Sequence, residues 1–508
     1  MRKVQKKRAL TVPFVSQKQL VLDGFDSPFD KKLNPENRWV VLANLIPWDE
    51  ICSIYLKHIP QQATGRPSLN PRIVLGSIII KHLCDIDDRE TVDQISENMY
   101  MQYFLGYSSF SDEAPFDPSL FVEFRKRLGL DVINEINEKI VSLKTKLEDK
   151  NKSENDDEPS DSDSDNNNKG SLLMDATACP QDIAYPTDLN LLNDAREKSE
   201  QLIDFLFQKE LHGNKPRTYR VEARKKYLST AQKKSKTGII IRRGVGQQLR
   251  YLRRNIGHIN TLLDEYQTIP FTKIDLKYWF VIQHLYDQQI QMYQTHSKSV
   301  DNRIVSIHQP HVRPIVRGKS QAKVEFGSKI NCSMVDGITF IDQLSWDAFN
   351  EGSKLKESVE MYKQRFGFYP KEVLVDKIYC TRDNRNYLKD RAIKLVGKPL
   401  GRPSLATPFV VSPGERNPIE GKFGQAKTGY GLNRIKARLQ NTSESWIASI
   451  FLVLNLVKLA GVASYCFIVW VFKSLSAYQS KKISIIHQNK NRRGLRLNLS
   501  YQYLKLAN

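Results

Sequence analysis

KVEFGSKINCSMVDGITFIDQLS, residues 323–345, holds two runs rich in β-branched and aromatic residues. They meet at Asp336-Gly337, a dipeptide that favours the tight turn of a hairpin. Downstream, NEGSKLKESVEMYKQRF (350–366) has the period of an amphipathic helix, and EVLVD (372–376) is a short apolar run closed by Asp376. TRDNRNYLKDR (381–391) reads as a second helix and AIKLV (392–396) as a further strand. Far upstream, SLLMDAT (171–177) reads as a strand ending in Asp175.

Strand, hairpin, helix, strand, helix, strand is the order of an RNase H-like α/β fold, a mixed sheet flanked by helices. That order sets the first strand beside the one that ends in Asp376. Paired acids at strand ends mark the edge where α/β sheets bind ligands. A plainer reading treats each Asp as a strand terminator.

A third acid stands in RNPIEGKFGQAK (416–427). Asn417, Pro418 and Glu420 fit the N-cap, first position and N3 of a capping box, which accounts for Glu420 locally. It leaves Gly421 and Gly424 unexplained, since each costs about 1 kcal/mol against Ala inside a helix. Arg416, Glu420 and Lys427 are four and seven residues apart, so a helix presents acid and base on one face. Three carboxylates gathered by a fold are a sufficient ligand set for two hard divalent ions, which activate the nucleophile and the leaving oxygen of a phosphodiester.

The surroundings agree with a polyanionic substrate. Lys and Arg number 77 against 56 Asp and Glu, a net charge of +21 that favours nucleic acid through counterion release. Residues 1–147 read as a helical N-terminal unit, with helix starts at Asn70-Pro71, at Asp88-Arg89-Glu90 for a single helix over TVDQISENMYMQYFLG (91–106), and at Asp117-Pro118-Ser119. Residues 148–170 lack apolar side chains and read as an acidic, disordered linker. The catalytic unit spans 171–472, and a basic tail covers 473–508.

Between the first strand and the hairpin, about 195–302, lies a large, mainly helical and very basic insertion. Its Lys and Arg, interleaved with Tyr219 and Tyr227, suit phosphate tracking. Gly244 and Gly246 form a lone GxG, which does not make a nucleotide site. In the loop SIHQPHVRPIVRGK (306–319), His308 and His311 read as ordinary polar residues, whereas Arg313, Arg317 and Lys319 suit DNA contact. The six cysteines contain no C-x-x-C pair, which argues against a zinc site or a disulfide framework. MRKVQKKRALTVPFV lacks the apolar core of a secretory signal. The apolar run 446–472 is interrupted by Asn455 and Lys458 and reads as buried core helices rather than a membrane span.

With these motifs in place, the chain resembles the DDE transposases of bacterial insertion sequences, in the IS-four and IS-five-like superfamily. That group carries Tyr, two residues, Arg, three residues, Glu, six residues, Lys. Here Arg416, Glu420 and Lys427 match, while Pro413 stands where the Tyr would be. MDAT around Asp175, VEFGSK, and Asp376, Tyr379, Asn384 and Arg385 extend the likeness, with Ile378 where relatives often carry Gly. Gly65-Arg66-Pro67, Tyr103 to Gly106 and Phe116 to Ser119 resemble the helical domain that precedes the catalytic one.

The resemblance implies that Asp175, Asp376 and Glu420 bind two Mg²⁺ ions, with Mn²⁺ able to substitute. It also implies cleavage at terminal inverted repeats and joining of 3′ hydroxyls to target DNA. Arg416, Lys427 and Arg385 would contact DNA, two protomers would pair the ends, and the setting would be the bacterial cytoplasm and nucleoid, without a membrane. A stand-alone nuclease and an inactive DNA-binding relic are the competing readings.

Overall fold

The computed structural model describes residues 33–59, 68–153, 168–316, 324–397 and 417–461, with backbone alone for 143–153 and Asn417. Its centre is a six-stranded mixed sheet: β1 (Ser171–Pro180), β2 (Arg313–Val316), β3 (Val324–Val335), β4 (Ile338–Ser345), β5 (Glu372–Leu374) and β6 (Lys394–Val396). The main path runs β2-β3-β1-β5-β6, and β4 also pairs with β3. β1 is antiparallel to β3 and parallel to β5, which is parallel to β6.

The hairpin forms where turn chemistry places it. Asp336 and Gly337 both have positive φ, 50° and 81°, the conformation of the two central residues of a type I′ turn. Asp175, by contrast, does not end its strand. It is fifth of the ten residues of β1, because the long antiparallel partner β3 keeps pairing as far as Pro180.

Seven helices precede the sheet: α1 (Arg38–Leu45), α2 (Trp48–Lys57), α3 (Pro71–Cys84), α4 (Asp88–Glu97), α5 (Met99–Leu105), α6 (Leu120–Arg127) and α7 (Leu130–Ser153). Asn70 caps α3 by accepting from the Arg72 N–H at 2.9 Å. The single helix expected over 91–106 is two, because Asn98 ends α4 and caps α5 through the N–H groups of Tyr100 and Met101. α7 reaches Ser153, past the expected start of the acidic linker, and the chain is fixed again at Asn168, whose amide donates to the Arg391 carbonyl at 2.8 Å. Residues 154–167, where most of that linker falls, lie outside the described residues, as do residues 462–508, which hold the end of the apolar run 446–472 and the tail 473–508.

One apolar core joins these helices to the sheet and to a final helix, α16 (Gln440–Gly461). α16 is long and apolar enough to cross a membrane, but 72% of its most apolar window is buried in the protein, the mark of a core helix. Asn455, the polar break in the apolar run, is a buried hub. It donates to Asn137 at 2.9 Å and to the Thr339 carbonyl at 2.7 Å, and accepts from the Thr339 N–H at 2.9 Å, tying α16 to α7 and β4.

The insertion is helical: α8 (Asp188–Leu206), α9 (Lys209–His212), α10 (Arg220–Ala231), α11 (Gly238–Asp264) and α12 (Lys273–Thr295). It buries a second apolar core of its own, built on Leu192, Ile203, Leu252 and Ile282. Gly246 is a packing residue, since a Cβ there would sit 2.6 Å from the Tyr293 hydroxyl. After β4 come α13 (Leu355–Phe366), α14 (Arg382–Lys389) and α15 (Asn417–Gly429).

Candidate active site

The parallel pairing of β1 with β5 ends at Leu173 opposite Leu374. Two residues beyond lie Asp175 on one strand and Asp376 on the other. The equal offset sets the two residues at the same level, just past the C-terminal end of β5. The even spacing puts them on the face of Leu173 and Leu374. β1 runs on past this level with β3 at its other side, so Asp175 stands where the strand loses its β5 neighbour. Asp175 is half-buried and Asp376 exposed. Asp376 also caps a short 3₁₀ turn, Lys377–Tyr379, by accepting from the Lys377 N–H at 2.7 Å, so the strand-terminator role is real as well.

Side chains flanking Asp376 hold its loop in place. The buried Tyr379 hydroxyl donates to Asn331 Oδ1 on β3 at 2.8 Å, and Asn331 in turn donates to the Ser358 hydroxyl at 3.0 Å. Burial first, then the charges of Glu351 and Asp175, hold the Tyr379 phenol far above its ordinary range, so it stays a neutral donor that senses Asp175. Asn384 donates to the Tyr379 carbonyl at 2.8 Å and to the Gly352 carbonyl at 2.7 Å. Asn331 carried no sequence signal; Tyr379 and Asn384 did, as part of the motif after Asp376.

The described part of α15 runs from Asn417 to Gly429 and carries Glu420 in its first turn. Ile419, Phe423 and Ala426 are its buried stripe, and the helix packs against β1. Glu420 follows Ile419 by about 100° around the helix and is exposed. Lys427, seven residues on, is half-buried on the same side. A Cβ at Gly421 or Gly424 would meet nothing within 4 Å, so packing does not call for glycine at either place.

The donor set is three carboxylates on adjoining elements, and its chemistry suits a hard divalent cation. Among the described residues, however, no three His, Cys, Asp or Glu side chains are grouped so as to hold a metal ion. Register sets Asp175 and Asp376 level along neighbouring strands, and α15, which carries Glu420, packs against β1, but the three do not close into one ligand group.

The remaining residues separate. Arg313 turns its guanidinium onto its own loop, donating to the Pro310 and Val312 carbonyls, with Asp347 3.6 Å away. His311 packs edge-on to Trp346, centroids 4.4 Å apart; burial, Lys277 and Arg313 push it down to about 4, so it is neutral at pH 7. His308 contacts the Tyr278 hydroxyl through Nδ1 at 2.9 Å. Arg385 is half-buried on α14. Arg317, Lys319 and Arg416 lie outside the described residues.

A helical unit packed ahead of a mixed sheet flanked by helices is consistent with a DDE transposase domain. Comparison with known proteins agrees: residues 27–127 match the model "Transposase domain (DUF772)" and residues 373–457 match "Transposase DDE domain". Both matches support a DDE transposase. An uncharacterized protein, ORF8 in the nfe locus of Rhizobium meliloti, is 32% identical over 172 residues, which are 33% of this chain and 74% of that protein. No solved structure matches.

Proposed function

We propose that this transposase serves an insertion sequence of the IS-four and IS-five-like superfamily, binding its terminal inverted repeats, cleaving the ends and joining the 3′ hydroxyls to target DNA. The catalytic unit is RNase H-like in this reading. Supporting it, removal of the short β2 from the sheet leaves the order β4-β3-β1-β5-β6, an antiparallel hairpin followed by parallel strands. The observation that carries the functional reading is the shared level of Asp175 and Asp376, with Glu420 on the helix packed against the same strand.

Asp175, Asp376 and Glu420 would hold two Mg²⁺ ions, or Mn²⁺ in their place. Bound there, such ions lower the pKa of an attacking water or hydroxyl and stabilise the leaving oxygen. The protein's own work is orientation. Tyr379 and Asn384 fix the Asp376 loop, and the apolar stripe of α15 sets the height of Glu420 beside β1. Lys427, with Arg416 ahead of the helix, would steady the phosphate next to the cut. Two protomers would pair the two ends, in the bacterial cytoplasm and on the nucleoid.

A Glu420→Gln variant keeps the side chain's size and removes its charge. On a duplex carrying the DNA that flanks the gene, cleavage should fall by at least about 10³-fold, on the scale of losing a major electrostatic group in an active site, while binding is kept. Cleavage within about threefold of wild type would remove Glu420 from the site. With a pre-cleaved end offered, wild type should join it to target DNA; a plain nuclease would leave it unjoined.

A further inference from the structure

The insertion segregates its charge. Many of its acids are engaged around α8 and α12: Glu197 and Glu200 hold Arg196, Asp204 holds Arg220 and Lys215, Asp188 holds Arg303, and Asp275 faces Lys198, while on α10 Glu222 pairs with Lys226. α11 is the opposite case. Its 27 residues carry Arg242, Arg243, Arg250, Arg253 and Arg254 and no acid before the terminal Asp264. Among the described residues no carboxylate pairs with Arg243, Arg250 or Arg253, and all three are exposed.

Geometry makes this a line rather than a scatter. Arg243, Arg250 and Arg254 are seven and four residues apart and share one helix face over about 16 Å; Arg254 is half-buried and donates to the Thr218 carbonyl, while the exposed Arg253 stands on the flank. The buried residues Val245, Leu249, Leu252 and Ile259 hold the opposite face in the insertion's core. Like charges three and four apart oppose the helix by a few tenths of a kcal/mol each, so the fold maintains this stripe against a local penalty. Aromatic rings steady its margins: Arg254 lies 4.7 Å from the Tyr219 ring and 5.1 Å from Tyr251, and Lys226 lies 5.7 Å from Tyr251. Lys225, Lys233, Lys234 and Lys236, all exposed, add further positive charge on α10 and the turn into α11.

We propose that the outer face of α11 is a second DNA-binding surface, separate from the carboxylate edge, that tracks the phosphate backbone of duplex DNA without reading its sequence. The inference rests on the transposase reading above and assigns the insertion a task within it. Arginines on a rigid helix, backed by aromatic rings, suit phosphate oxygens; the stripe's length faces several phosphates, which lie about 3.4 Å apart along the axis of each strand. Contacts of this kind fix where the duplex lies and carry no base specificity.

The test compares the full chain with the triple variant R243A/R250A/R253A and the charge-keeping R243K/R250K/R253K. Each is titrated with a random-sequence duplex of about 30 base pairs across a range of salt. Wild type should bind with a steep salt dependence. The alanine variant should lose about 2 to 3 from the slope of log K against log salt, near 0.9 per phosphate contact removed, and the lysine variant should keep it. The substituted side chains are exposed and alanine favours helix, so an unchanged melting temperature checks the fold. An unaltered slope in the alanine variant overturns the proposal, and so does a change confined to self-association, which would make the face a protein interface. Absence of any salt-dependent binding by wild type would instead count against the transposase reading.

Discussion

Asp175 shows how much of a residue's role is set by a partner remote in sequence. Read locally, it closes an apolar run; in the fold it is mid-strand, and what ends beside it is β5, some two hundred residues on. The level match with Asp376 was inferable only as a consequence of strand order. Tyr379 is the residue that makes the match durable, because its hydroxyl anchors the Asp376 loop to Asn331. Tyr379→Phe strands the side-chain Oδ1 of Asn331 in the core. It should lower stability by about 1 to 2 kcal/mol and raise the Mg²⁺ concentration for half-maximal cleavage several-fold. A loss of stability with an unchanged metal requirement would make Tyr379 purely structural. Arg313 is the converse case. Its residue type and basic loop suit DNA, but type does not encode the carbonyls of Pro310 and Val312 that it turns to.

At the scale of elements, the hairpin was legible because Asp336 and Gly337 specify their turn locally, and α3 because Asn70-Pro71 is a strong helix start. The division of α4 from α5 was missed because Asn98 serves both helices at once, ending one and capping the next. Asn455 was read as an interruption of an apolar run, since burial with three hydrogen bonds cannot be told from exposure by sequence. Asn455→Ala leaves the Thr339 N–H and carbonyl and the Asn137 amide without this partner. Chemical denaturation should record a loss of about 2 to 4 kcal/mol, each unsatisfied buried group costing about 1 to 3. A loss below about 0.5 kcal/mol would mean that water replaces the side chain and that α16 is held by apolar packing alone.

For the whole molecule, one core runs from the N-terminal helices through the sheet into α16, while the insertion folds around a core of its own. Two buried cations stitch the first of these. Lys81 and Arg125 both reach Asp88, at 2.9 and 2.6 Å, and both lie over the Trp446 ring of α16. Burial raises the Asp88 carboxyl, but the hydrogen bond from Arg125 and the charge of Lys81 outweigh it and leave the group below its ordinary range. The helices that match the DUF772 model are thus packed against the unit that carries the acids. The order of elements was legible from periodicity; this docking was not, because it is made by side chains far apart in the chain.

Asp175, Asp376 and Glu420 are proposed to act as one metal-binding set. The most direct measurement is metal rescue of Asp376→Cys on the flanking-DNA duplex, because thiolate is a poor ligand for Mg²⁺ and a better one for softer ions such as Mn²⁺. Cleavage should be lost with Mg²⁺ and return at least about tenfold with Mn²⁺, whereas Asp376→Ala stays inactive with both ions. Full activity of Asp376→Cys with Mg²⁺, or equal rescue of the alanine variant by Mn²⁺, would contradict it.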